Sequence, residues 1–170
     1  GKFRGWWSPA TLVTEIIDQV ETGATFVYAY YDGVDTIAHV HGFDRHYQDE
    51  LKFVDALVER IFQELPDDAV LLFTADHGMV EVGDRILHLE EEIVRRTLMT
   101  SGEARFLWLH ADSGGAESLE EAAQFYSDVA WIVPLEQILD ERWFGPYVSN
   151  EAQRRMGDLA IVARDPVAIM

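Results

Sequence analysis

Two apolar runs in this chain end in the same way. TFVYAYYDGVDTIAHVHG, residues 25–42, and AVLLFTADHGM, residues 69–79, each begin as an uncharged stretch of β-branched, aromatic and aliphatic residues and stop at Asp and His. Uncharged runs of this length read as buried strands. Between them, residues 44–65 repeat apolar side chains at helical spacing, with Leu51, Val54, Leu57, Val58, Ile61 and Phe62 on one side, and Pro66-Asp67-Asp68 makes a turn. Strand, long helix and strand form a βαβ unit with parallel strands and a right-handed crossover. Parallel strands end on one edge of their sheet, so the two acid-and-imidazole segments are expected side by side where open α/β sheets bind ligands.

The rest of the chain extends that pattern. Ser8 and Pro9 mark a helix start, followed by the stripe Leu12, Ile16, Ile17 and Val20 and a stop at Gly23. A short helix is expected over 90–99, strands over 106–109, 130–133 and 158–163, and helices over 119–129 and 135–140. Residues 105–134 read as a second βαβ-like piece without obvious chemistry. The fold class is α/β, a mainly parallel sheet flanked by helices, with a small cap-like α+β insertion at 80–134.

Bulk composition excludes several partners. The 170 residues carry 31 acidic and 13 basic side chains, a formal charge of -18. Such a field repels nucleic acid polymers and anionic lipid surfaces. Bound divalent cations would offset it locally around a phosphate. Cys is absent, which removes disulfides, thiolate metal sites and Cys nucleophiles. No run is long enough to span a bilayer, and GKFRGWW lacks the apolar core of a signal peptide. The compartment is left open, with the cytoplasm favoured.

The chemistry-bearing residues are Asp35, His39, Asp76 and His77. Asp35 and His39 stand four apart, so one helical turn puts both on one face. Asp76 and His77 are neighbours, and a sharp turn after the strand lets both face a crevice. Carboxylate and imidazole together suit zinc or a similar divalent ion. Either pair alone is commonplace as a surface pair, a cap or a satisfied strand-end His; their expected meeting on one sheet edge gives the metal reading its weight.

YYDGVDTIAHVHG together with TADHGM resembles the type I phosphodiesterase/nucleotide pyrophosphatase family of the alkaline phosphatase superfamily. The likeness extends through SGEARFLWLH and WFGPYV…RRMGDLAIVAR. It implies an alkaline phosphatase-like fold and two divalent ions, usually Zn2+ with Mn2+ as the alternative, one held by Asp35 and His39 and the other by Asp76 and His77. It also implies hydrolysis of a phosphodiester or pyrophosphate bond in a small-molecule or nucleotide substrate, through phosphoryl transfer to a Thr or Ser. That nucleophile and a last His ligand have no counterpart here. The expectation is therefore a central and C-terminal part, 1–170, of a larger catalytic domain.

A phosphomutase or sulfatase of the same superfamily would share both Asp–His pairs. A non-catalytic metal-binding or partner module would keep the fold alone. Thr11 and Thr14 lie in an expected helix and Thr74 in an expected strand, so none is taken as nucleophile. His41 reads as a variable position, or else as a substrate-side or alternative metal residue. Tyr30, Tyr31 and Asp32 either line the site or pack. His46 and His88 read as solvated, and His110 as part of the cap-like piece.

Overall fold

The computed structural model describes residues 1–113 and 115–170, which divide into two compact units, 1–81 and 82–170.

In the first unit three helices carry the core. Helix α1, Pro9–Glu21, starts at a reciprocal cap: Ser8 Oγ accepts from the Thr11 amide, and Thr11 Oγ1 accepts from the Ser8 amide at 2.9 Å. Helix α2, Gly33–His41, follows the first apolar run, and α3, Arg45–Glu64, starts at the cap residue Asp44 and ends at Leu65. Leu12, Val13 and Ile16 of α1 pack against Leu57 and Ile61 of α3, with Trp6, Val27, Tyr31, Leu65 and Leu71 around them. Leu51 and Phe62, expected on the buried side of α3, are exposed.

Residues 25–31 and 69–75 differ from expectation. Neither has regular secondary structure or forms a strand ladder, and among the described residues no backbone hydrogen bond joins them. Val27, Tyr31 and Leu71 turn toward the helices, whereas Phe26, Tyr28, Val70, Leu72 and Phe73 are exposed. An uncharged run reads as a strand buried on both faces, but here helices cover only one face.

The second unit holds β1, Ile86–Leu87; α4, Glu91–Arg96; β2, Thr97–Glu103; β3, Phe106–Ala111; α5, Ala116–Ala123; β4, Ala130–Pro134; α6, Leu135–Asp140; α7, Asn150–Gln153; β5, Leu159–Ala163; and β6, Ala168–Ile169. Its main sheet has the order β2-β3-β5-β4, and every neighbouring pair is antiparallel. The expected mainly parallel sheet is thus corrected for this unit. β3 and β4 do run parallel around α5, but β5 inserts between them, so the expected βαβ-like piece is a split one. Parallel pairing is confined to the short β1–β6 ladder. β2 lies where a loop and the end of a helix were expected, because Thr97, Leu98 and Met99 continue from α4 into an edge strand paired with β3.

One side of the sheet is sealed by Leu109, Leu119, Ala123, Tyr126, Leu159 and Ile161, and a second cluster joins Trp108, Val133, Ile138 and Ala160. The Tyr126 hydroxyl donates to the His88 carbonyl at 2.6 Å, and burial raises its pKa. Arg105 ties down the chain's last segment: Nη1 donates to the carbonyls of Asp165 at 2.8 Å and Val167 at 2.9 Å, and Nη2 to that of Ala163 at 3.2 Å.

Candidate metal centre

All four residues singled out in the sequence lie in the first unit, and the structure brings them together. Asp35 occupies the first turn of α2 and His39 the last, and their helical spacing leaves His39 Nε2 3.5 Å from Asp35 Oδ1. The chain bends at Asp76 and His77, after the second apolar run. That bend sets His77 Nε2 3.9 Å from Asp35 Oδ1 and 3.9 Å from Asp76 Oδ1. Asp35 Oδ1 is therefore flanked by imidazoles from two separate segments.

The start of α2 is fixed from outside the cluster. The Tyr31 hydroxyl donates to Glu50 Oε1 of α3 at 2.6 Å, and its ring lies against Trp6 and Phe53. Burial and then the Glu50 carboxylate push the Tyr31 phenol up to about 12. This tie passes over Gly33, where a Cβ would collide with the Tyr31 phenol and the Glu50 carboxylate. Glycine at the helix start thus permits the bond that orients α2. Farther along the helix Ala38 is buried.

Three features make this cluster fit a divalent cation. First, Asp35 Oδ1 is buried and has no hydrogen-bond partner, although a carboxylate oxygen denied both water and a donor is costly. A cation would satisfy it. Second, His77 Nδ1 lies 3.0 Å from the Gly78 carbonyl oxygen. Donation there puts the lone pair on Nε2, the atom facing Asp35, as in metal-bound imidazoles whose other nitrogen is held by a carbonyl. Third, two carboxylates and two imidazoles are the donor set that zinc and related ions take.

Negative charge is felt by the neighbouring phenol. The pKa of Tyr30 is raised, first by the Asp76 carboxylate, then by burial, then by Asp35 and Asp32. Tyr30 therefore borders the acidic cluster. The Asp76 side chain is 68% exposed and that of His39 72%, so the cluster opens to solvent and to a soluble ligand.

The hydroxyls weighed as nucleophiles are engaged locally. Thr11 serves the cap of α1, Thr14 donates to the Ala10 carbonyl at 3.3 Å, and Thr74 to that of Ala75 at 3.2 Å. In the second unit His110 pairs with Ser101 Oγ at 2.9 Å.

A tighter group lies nearby. His41, Asp44 and His46 present ligand atoms that all fall within 4.8 Å of one another. His46 is exposed as expected, but its Nδ1 is 2.9 Å from Asp44 Oδ2, a bond that lowers the Asp44 pKa. The signal was present in the sequence as His-x-x-Asp-x-His across a helix break at Gly42.

The fold and these side chains define a mixed α/β protein with a solvent-open cluster of two carboxylates and two imidazoles. The family model of type I phosphodiesterase/nucleotide pyrophosphatase matches residues 3–170, and the chain belongs to that family. The family is one of phosphodiesterase- and pyrophosphatase-type hydrolases that act on small-molecule phosphodiesters and generally use divalent metals, zinc among them. The comparison with curated proteins gives no match. No helix among the described residues is long and apolar enough to cross a membrane.

Proposed function

We propose that this chain carries metal-binding residues of a hydrolase of phosphodiester or pyrophosphate bonds in small molecules such as nucleotides. Asp35 and His39 would hold one divalent ion, preferably Zn2+, and Asp76 and His77 the other. The observation that carries this reading is the buried, partnerless Asp35 Oδ1 between His39 and His77. Bound there, divalent ions supply Lewis acidity and charge neutralisation for a phosphoryl group.

The chain's own residues do the rest. Asp35 and Asp76 attract cations into a protein that otherwise repels phosphate, and the His77 Nδ1 contact with Gly78 keeps one imidazole edge turned to the cluster. Tyr30 borders the acidic cluster, and its hydroxyl, protonated at neutral pH as an ordinary phenol is, offers a donor for a substrate phosphate. No Thr or Ser of this chain is assigned as nucleophile.

Activity of the full-length protein on a chromogenic phosphodiester tests the reading when compared with the matching monoester and sulfate ester. Zinc-dependent diester cleavage that disappears in Asp76→Asn supports it. Preference for the monoester or the sulfate would transfer the chain to a phosphomutase- or sulfatase-like activity. Zinc binding unchanged in Asp76→Asn and His77→Ala would refute the assigned ligands.

A further inference from the structure

We propose that His41, Asp44 and His46 form a second cation site, distinct from the four-residue cluster, that takes a borderline divalent ion such as Zn2+ or Cu2+ across the corner between α2 and α3. His41 is the last residue of α2, Gly42 turns the chain at φ +63, Asp44 is the cap of α3, and His46 lies in the first turn of α3. One short corner thus presents two imidazoles and a carboxylate.

The carboxylate of the group is fixed in place. Asp44 Oδ1 accepts from the His46 amide at 2.7 Å, which fixes the carboxylate as a helix cap, while Oδ2 meets His46 Nδ1. The rings of His41 and His46 stack with centroids 4.0 Å apart and planes 17° from parallel. Stacking holds the imidazoles side by side, with a ring nitrogen of each near the same carboxylate. Ligands of a tetrahedral zinc stand about 3.4 Å apart, as bond lengths near 2.1 Å require. The three ligand atoms lie within 4.8 Å of one another, and rotation of the exposed side chains that unstacks the rings would aim both imidazoles at one ion and close that spacing.

The site is separate from the cluster at Asp35. His39 and His41 are two residues apart on one helix, which rotates their side chains by about 200°. His39 shares a face with Asp35, and His41 faces α3. Two nitrogens and one oxygen favour Zn2+, Ni2+ or Cu2+ over Mg2+ or Ca2+, and leave a coordination position for water. An ion there would cross-link the end of α2 to the start of α3, bracing the helix that carries Asp35 and His39.

Equilibrium dialysis of the metal-free protein against Zn2+, with zinc counted per chain, tests this. His41→Ala and His46→Ala are each expected to bind one equivalent fewer than the wild type, with helical circular dichroism retained because both side chains are exposed. Asp76→Asn is expected to keep that equivalent. Cu2+ bound in the Asp76→Asn background should show coupling to two imidazole nitrogens by pulsed electron paramagnetic resonance, reduced to one in His46→Ala. Equal zinc counts in the wild type and both His variants would overturn the proposal, as would loss of the same equivalent in Asp76→Asn. If Asp76→Asn loses no zinc while His41→Ala loses one equivalent, this site stands and the Asp76–His77 assignment falls.

Discussion

Replacing Asp35 by Asn separates a metal ligand from an ordinary surface acid. Without metal the change is nearly silent. The side chain is 40% exposed and no hydrogen bond is lost at Oδ1. A shift within about 0.5 kcal/mol is expected, as for surface positions that break no network. With zinc at a hundred times its dissociation constant, the wild type gains about 2.7 kcal/mol through mass action. Even outer-shell partners of metal ligands cost 10–100-fold in affinity when lost, so removing the Asp35 oxygen should cost at least about 100-fold. The residual gain is then about 0.4 kcal/mol, and the difference of about 2.3 kcal/mol corresponds to roughly 9–18 °C in the melting temperature of a unit this size. Differential scanning calorimetry with and without zinc measures both numbers. A variant that melts early without metal, or keeps the wild-type zinc shift, would refute the role given to Asp35.

Three further outcomes follow from the packing and the charges. Tyr31 is held protonated until about pH 12, above its ordinary value, so its contribution is complete below about pH 10 and is lost as pH rises from 10 to 12; urea titrations across that window should show a slope that Tyr31→Phe flattens. Arg105→Met leaves three backbone carbonyls of the last segment without their charged donor and should cost about 2–3 kcal/mol, less than the sum of three charge-assisted bonds because water reaches this partly buried site; hydrogen exchange at Ala168 and Ile169 should accelerate before global unfolding. Leu109→Ala, at a fully buried position on the central strand pair, should cost about 2–5 kcal/mol in urea unfolding without altering zinc binding in the other unit.

Local signals in the sequence carried a long way. The cap at Ser8, the α3 span between Asp44 and Leu65, and α6 at 135–140 all follow from residues that act within a few positions of themselves. Pairing was less legible. Nothing in residues 158–163 announces that this strand enters between β3 and β4, because strand order depends on which apolar face meets which. The continuation of α4 into β2 was hidden by Arg95 and Arg96, which form helical ion pairs with Glu91 and Glu92 just before the backbone extends. At the acid-and-imidazole cluster the meeting of the side chains was expected and its cause was not. Asp35, His39, Asp76 and His77 were legible as residues, although the parallel ladder expected to bring them together is missing from 25–31 and 69–75.

What brings them together instead is helix packing. Tyr31, tied to Glu50, aims α2; Leu71 seats the second run against the same helical core that holds Val27. Each half of the cluster is thus positioned by contact with α1 and α3. A ladder would lock the two runs with a row of backbone bonds, each backed by its neighbours, whereas side-chain seating of two apolar segments leaves their ends free to open at lower cost. Two neighbouring cations, one held by Asp35 and His39 and the other by Asp76 and His77, would offset the carboxylates of both segments and brace the place where they meet. Metal binding should therefore rigidify residues 69–79 as well as α2. Glycine at 33 admits the Tyr31–Glu50 bond, which fixes the start of the helix that carries Asp35.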